Sequence, residues 1–160
     1  MRGQVLVGLV IIGFLILGCQ PPVSLDKAPD IRYGEDVCDK CRMIINEARF
    51  AAAYVTRQGE VRRFDDIGDM VQYHQEHAEE VAVFWVHDFE TEEWLRADQA
   101  FFVSSADIHT PMGHGIVALG EKDRADRLAA SSQGRVLTWS ELLTQPITSQ
   151  NTPQPTHSHE

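Results

Sequence analysis

Cys38, Cys41 and Met43 place two thiols and a thioether within the short run Cys-Asp-Lys-Cys-Arg-Met. Thiolate and thioether are soft donors, and together they favour Cu(I) over hard ions such as magnesium or calcium. A Cys-x-x-Cys pair also suits zinc, dithiol–disulfide exchange or a plain structural disulfide, so the run alone leaves four chemistries open. A second loop with donors is Ile108-His-Thr-Pro-Met-Gly-His-Gly115. Pro111, Gly113 and Gly115 make it a turn, so Met112 does not fill a helix face and is a candidate thioether ligand. His109 and His114 have a spacing compatible with zinc, though they stand far along the chain from the thiols. His87, followed by Asp88, ends an apolar strand, where a neighbouring carboxylate could orient an imidazole for metal.

The amino terminus sets the compartment in which these thiols work. Met1-Arg-Gly-Gln4 is a short cationic region, and Val5 to Leu17 is an uncharged apolar run of signal-peptide length, too short for a comfortable span. It ends in Ile16-Leu-Gly-Cys19, which resembles a bacterial lipobox, so cleavage is expected before Cys19, with lipid on its thiol. Gln20, rather than aspartate, follows and resembles the pattern of outer-membrane sorting. Cys38 and Cys41 are then the free thiols outside the cytoplasm, where an oxidising compartment drives them toward a disulfide unless metal or a partner protects them.

Charge narrows the partners. The chain carries 14 Lys+Arg against 24 Asp+Glu, a formal −10. Removing the leader takes Arg2 with it and leaves 13 against 24, or −11. Such a surface is a poor polyanion binder, which argues against nucleic acid, and it leaves the acyl chain as the membrane contact.

The elements that must position the donors follow from periodicity. Residues 20–30 hold three prolines and read as a tether. Phe50 to Thr56 and Val61 to Phe64 read as a hairpin around Gln58-Gly59, and Asp65 or Asp66 caps a helix to about Glu76. On that helix Ile67, Met70, Val71 and His74 form a buried face, so Met70 and His74 read as core. Val81 to Val86 is a buried strand. A second pass has short strands at 93–96, 100–103 and 116–119, a helix at 121–131, a strand at 135–137 and a capping box at Thr138 and Glu141. The expectation is an α+β fold of two small, similar ββαβ lobes. Its divisions are a signal peptide (1–18), a lipid anchor and tether (19–34), a domain (35–143, with lobes at about 35–87 and 88–143) and a disordered tail (144–160) carrying His157 and His159.

Taken in order, the lipobox at Cys19, Cys38-x-x-Cys41-x-Met43-Ile-Ile, Trp85-Val-His-Asp88, Trp94, Ala100-Phe-Phe-Val103 and the Met112-Gly113 loop resemble the nitrous oxide reductase accessory lipoproteins, the NosL-type copper chaperones. The resemblance implies a periplasmic, lipid-anchored carrier of Cu(I). Its partners would be nitrous oxide reductase and the associated maturation and ABC-transporter complex. It also implies ligands at Cys41, Met43 and Met112, with Cys38 and His87 behind them. One departure is Arg42, where members commonly carry glycine; arginine lacks glycine's freedom at positive φ and brings a cation to the site. The two thiols are not expected to be equivalent: Glu35-Asp36 should raise the pKa of Cys38, and Arg42 should lower that of Cys41. The alternatives are a structural zinc or disulfide lipoprotein and a thiol oxidoreductase. Against the latter, no helix begins after Cys41 to activate a thiol.

Overall fold

The computed structural model describes residues 25–148; the leader, Cys19, His157 and His159 lie outside the described residues. The chain runs β1 (Ala52–Thr56), β2 (Val61–Phe64), α1 (Ile67–His77), β3 (Val81–His87), β4 (Trp94–Arg96), β5 (Phe101–Ser104), β6 (Ile116–Leu119), α2 (Lys122–Ser131), β7 (Arg135–Leu137) and α3 (Trp139–Thr144). Two antiparallel sheets result, ordered β2-β1-β3-β4 and β6-β5-β7. Each contains a ββαβ unit, β1-β2-α1-β3 and β5-β6-α2-β7, as the hydrophobic pattern predicts. Gly59, at φ +86, makes the first hairpin's turn, in a conformation that costs glycine little.

The helices begin and end for local reasons. Asp66 caps α1, its carboxylate accepting the Gly68 N–H at 2.7 Å. Ile67, Met70 and Val71 are buried beneath the helix, as the 3.6-residue period requires. Thr138 and Glu141 form the expected capping box of α3.

The two ββαβ lobes pack against each other through a shared cluster. Tyr54, Phe64 and Met70 from the first pack in the same cluster as Phe102, Leu137 and Leu142 from the second. Trp139 lies between Phe84 and Phe102, with ring centroids 4.9 and 5.4 Å away. The sheets also touch at a parallel bridge between Asp88 and Ala118. The chain passes between sheets after Arg96 and not at residue 88, because β4 pairs with the edge of β3 through Trp94, Leu95 and Arg96.

Both flanking segments are tied down more than their composition suggests. Ile31 is buried and Ala28 packs on Trp85, so the tether reading does not hold for the residues just before the thiol loop. At the other end, residues 145–148 are held against α1 where a disordered tail is expected from residue 144. Gln72 and Gln75 bind their backbone carbonyls, and Ile147 packs against the core.

Candidate metal centre

The thiols lie in a tight ribbon docked on the start of α1. Val37 and Ile44 pair across it, the Cys38 N–H donates to the Met43 carbonyl at 2.8 Å, and the Arg42 N–H donates to the Cys38 carbonyl at 3.1 Å. Asp39 fastens the ribbon to β2: its N–H donates to the Arg63 carbonyl, and its carboxylate accepts the Arg63 N–H, both at 2.8 Å. An ion pair from Lys40 to Glu76 ties it to the far end of α1. The docking carries both sulfurs over the acidic run Asp65-Asp66-x-x-Asp69 at the β2–α1 junction.

There, Cys41 Sγ lies 3.3 Å from Asp65 Oδ1, and Cys38 Sγ lies 3.6 Å from Asp69 Oδ2. One donor atom from each of Cys38, Cys41, Asp65 and Asp69 falls within 4.8 Å of the other three. Cys38, Asp65 and Asp69 are buried, and half-buried Cys41 forms the open edge. Behind the carboxylates, the His114 Nε2 is 3.0 Å from Asp69 Oδ1. Asp66 faces away from the sulfurs, capping α1 and accepting the Met112 N–H at 3.1 Å.

Burial pushes both thiols up, and the Asp65 carboxylate adds to it. Cys41 is raised to about 11, and Cys38 beyond the ordinary thiol range. This corrects the sequence expectation in two respects. Arg42 does not lower the Cys41 pKa, because desolvation outweighs any gain from that exposed cation. The carboxylate acting on Cys38 is Asp65 across the fold, not Glu35-Asp36 along the chain. For His114, burial works downward, but its hydrogen bond to Asp69 and the charges of Asp66 and Asp69 outweigh it, so the imidazole is raised.

The other candidate ligands are placed less closely. Met43 is on the ribbon's outer side, 54% exposed beside Ile44. Met112 is half-buried in the turn closed by the Gly113 N–H to the Thr110 carbonyl, and its backbone bond to Asp66 seats this loop beside Asp65. His87 is elsewhere and already engaged. Its Nδ1 is 2.7 Å from the Glu92 carbonyl, which can only accept, so that nitrogen carries the proton and Nε2 accepts the Tyr33 hydroxyl at 2.7 Å. Its ring lies against Trp94, 3.7 Å between centroids. Asp88 does not orient it, being committed to Arg124 and Gly120. His109 and His114 do not form a pair, since His109 is exposed and His114 turns inward.

Asp65, Asp69 and His114 are the residues of the cluster that sequence reasoning did not assign to it. The signal for the carboxylates was the acidic run Asp65-Asp66-x-x-Asp69 across the helix start, with Asp65 just before the cap and Asp69 in the first turn, and for His114 it was Gly68 in that turn. A Cβ on Gly68 would sit 2.3 Å from the His114 Cγ, so glycine is what lets the ring lie on the helix.

Comparison with known proteins bears on this arrangement. The family model described as NosL matches residues 32–147. The copper-binding lipoprotein NosL of Stutzerimonas stutzeri is 23% identical over 145 residues, covering 83% of this chain and 76% of that protein. The crystal structure of the copper chaperone NosL from Shewanella denitrificans is similar in fold, with a TM-score of 0.63 at 21% identity, covering 76% of this chain and 96% of that one.

Proposed function

Since the chain belongs to the NosL family, we propose that it is a metal carrier of the periplasm, binding Cu(I) as cargo and delivering it for maturation of nitrous oxide reductase through that enzyme's assembly and transporter complex. Lipid on Cys19 anchors it to the outer membrane. The observation that carries this reading is the pair of sulfurs over the start of α1, with one buried and one at an open edge. Two thiolates match the softness of Cu(I), and a half-buried Cys41 lets an incoming ligand attack while Cys38 still holds the ion. Met43 on the ribbon and Met112 on the facing loop are the thioethers available to complete the set or to pass the ion on. His87 stays outside it, its nitrogens being occupied. The names of both relatives describe binding or carriage and not catalysis.

Asp65 and Asp69 support a second reading. Two thiolates with two carboxylates make a donor set of the kind that zinc accepts and Cu(I) does not need. Anaerobic titration with Cu(I) and Zn(II), followed by X-ray absorption at each metal edge, separates the two. A sulfur-only shell around a tightly bound Cu(I) is expected. Oxygen ligands on Zn(II), with Cu(I) held only weakly, would transfer the assignment to the zinc reading.

A further inference from the structure

The segment after α3 has no evident task in carrying metal, yet the protein takes trouble to hold it. Gln72 Nε2 donates to the Ile147 carbonyl at 2.8 Å, and Gln75 Nε2 to the carbonyls of Leu143 and Gln145 at 3.0 and 3.1 Å. Arg135 binds the Gln145 side chain, and Ile147 packs on the core. Beneath residues 145–148 is a cavity of about 120 Å³, walled by Ser104, Ile116, Leu137 and the buried ring of His114. The strap therefore lies over one side of His114, Gly68 presses on another, and Nε2 meets Asp69. Asp69 in turn faces the Cys38 sulfur through its second oxygen.

We propose that residues 145–148 are a positioning element of the metal centre, acting through His114 as a positioning residue to fix Asp69 and the Cys38 sulfur. The inference rests on the thiol cluster being the cargo site, but its first consequence is visible without metal. With the strap in place, His114 has one seat, and its carboxylate partner keeps one rotamer. With the strap released, the cavity opens to water, the ring gains room to turn, and Asp69 and Cys38 lose the group that sets them. Cys41, bonded to Asp65 at the open edge, is not on this path.

The test uses the full-length chain, the double variant Gln72→Ala/Gln75→Ala, a chain ending at Thr144 and a chain ending at Thr148. Alkylation of Cys38 and Cys41 by iodoacetamide is followed by mass spectrometry in the reduced, metal-free proteins. The ratio of Cys38 to Cys41 rates should rise roughly three- to thirtyfold in the first two variants, the range of coupling carried through packed side chains. It should not change in the chain that keeps the strap. Val117→Ala, in the separate cluster behind the second sheet, controls for stability and should leave the ratio alone. His114→Gln should raise the ratio similarly, and combining it with strap release should add nothing. A flat ratio, an equal rise in Val117→Ala or simple additivity overturns the proposal. Cu(I) release to a chelator, measured on the same proteins, should quicken in step. If alkylation responds and release does not, the strap positions the thiol as inferred and the reading of that thiol as a cargo ligand falls.

Discussion

Two nests of buried carboxylate lie at the two junctions of this fold, and they are finished differently. Asp88, 1% exposed, accepts the N–H groups of Glu90, Thr91 and Gly120 at 3.0, 3.1 and 2.8 Å, and both Arg124 terminal nitrogens at 2.9 and 2.7 Å. Asp65 and Asp69, 4% and 2% exposed, are as deep, but they face thiols, which are weak donors, and one imidazole. Among the described residues no lysine or arginine pairs with either. A carboxylate nest completed by arginine is a joint, here sewing β3 to the β6–α2 turn. One completed by thiols has acceptor capacity to spare, which a cation brought from outside would satisfy. The ββαβ unit is repeated, but the cysteine ribbon is laid over the helix start of the first copy, so the sulfurs of the cluster come from the added loop and its carboxylates from the repeat.

The sharpest way to break the comparison is to remove a sulfur. Cys41→Ser should lower Cu(I) affinity by more than about a hundredfold, beyond what losing an outer partner of a ligand costs. Cys38→Ser should cost less, because burial and Asp65 hold that thiol protonated more firmly. The pH dependence measures how many thiols take part. With Cys41 raised to about 11, its proton must leave when metal binds at neutral pH. Affinity should therefore fall as pH falls, by about tenfold per unit if one proton is released and about a hundredfold if two are. Competition titrations between pH 6 and 8 read that slope, and a slope of zero would remove thiolate ligation altogether.

At the finished nest the expected effect is on stability and not on metal. Burial alone would raise the Asp88 pKa, but the Arg124 hydrogen bonds and three backbone N–H groups outweigh it and hold the carboxyl down at about 2. The linked stability is complete above the ordinary aspartate pKa near 4, and it is lost as pH falls from there toward 2. Its size is roughly 2 kcal/mol, and Asp88→Asn should cost about 2–4 kcal/mol because part-buried Arg124 loses its buried partner and keeps only the exposed Glu90 and Glu121. Chemical denaturation of protein and variant at pH 7 checks the second number, and comparison with pH 3, where about half of the linked stability should already be gone, checks the first. The variant should lose most of that pH dependence and keep its Cu(I) affinity.

Asp65→Asn makes the matching change at the unfinished nest, with a smaller effect of different kind. Stability should shift by no more than about 1 kcal/mol, since no ion pair is broken. Zn(II) affinity should fall about tenfold or more while Cu(I) affinity is nearly kept, carboxylate being a zinc ligand and not a Cu(I) one. Parallel losses for both metals would show that Asp65 shapes the thiol ribbon instead of choosing the ion.

Which parts of this were readable beforehand follows from how local each cause is. The strands came from apolar runs, the start of α1 from Asp66, and α3 from Thr138 and Glu141, all of which act within a few residues. The Cys38–Cys41 pair was equally local. Asp65 reads from sequence as a possible helix cap and Asp69 carries no separate signal, because both become donors only when the Asp39–Arg63 exchange lays the ribbon across them. His87 looked available because Asp88 follows it, yet the Glu92 carbonyl and the Tyr33 hydroxyl, set by the β3–β4 turn and the N-terminal segment, claim its nitrogens. The strap over His114 depends on glutamines from the middle of α1, which polar composition alone marks only as a solvated helix face.

The smallest predicted effect concerns the residue between the thiol pair and Met43. Arg42 sits at φ +67, a left-handed conformation that a side chain with a Cβ resists. It cannot relax without undoing the ribbon, since its own N–H is bound to the Cys38 carbonyl and the Cys38 N–H to the Met43 carbonyl. Arg42→Gly removes the conflict but adds freedom to the unfolded chain, so the two effects partly cancel and a net gain of up to about 1 kcal/mol is expected. Arg42→Ala separates the possible causes: it discards the cation but keeps the Cβ, and should leave stability nearly unchanged. Urea midpoints of the two variants decide between them. If alanine stabilises as much as glycine, the cation and not the backbone was the burden, and the ribbon carries no conformational strain at this position.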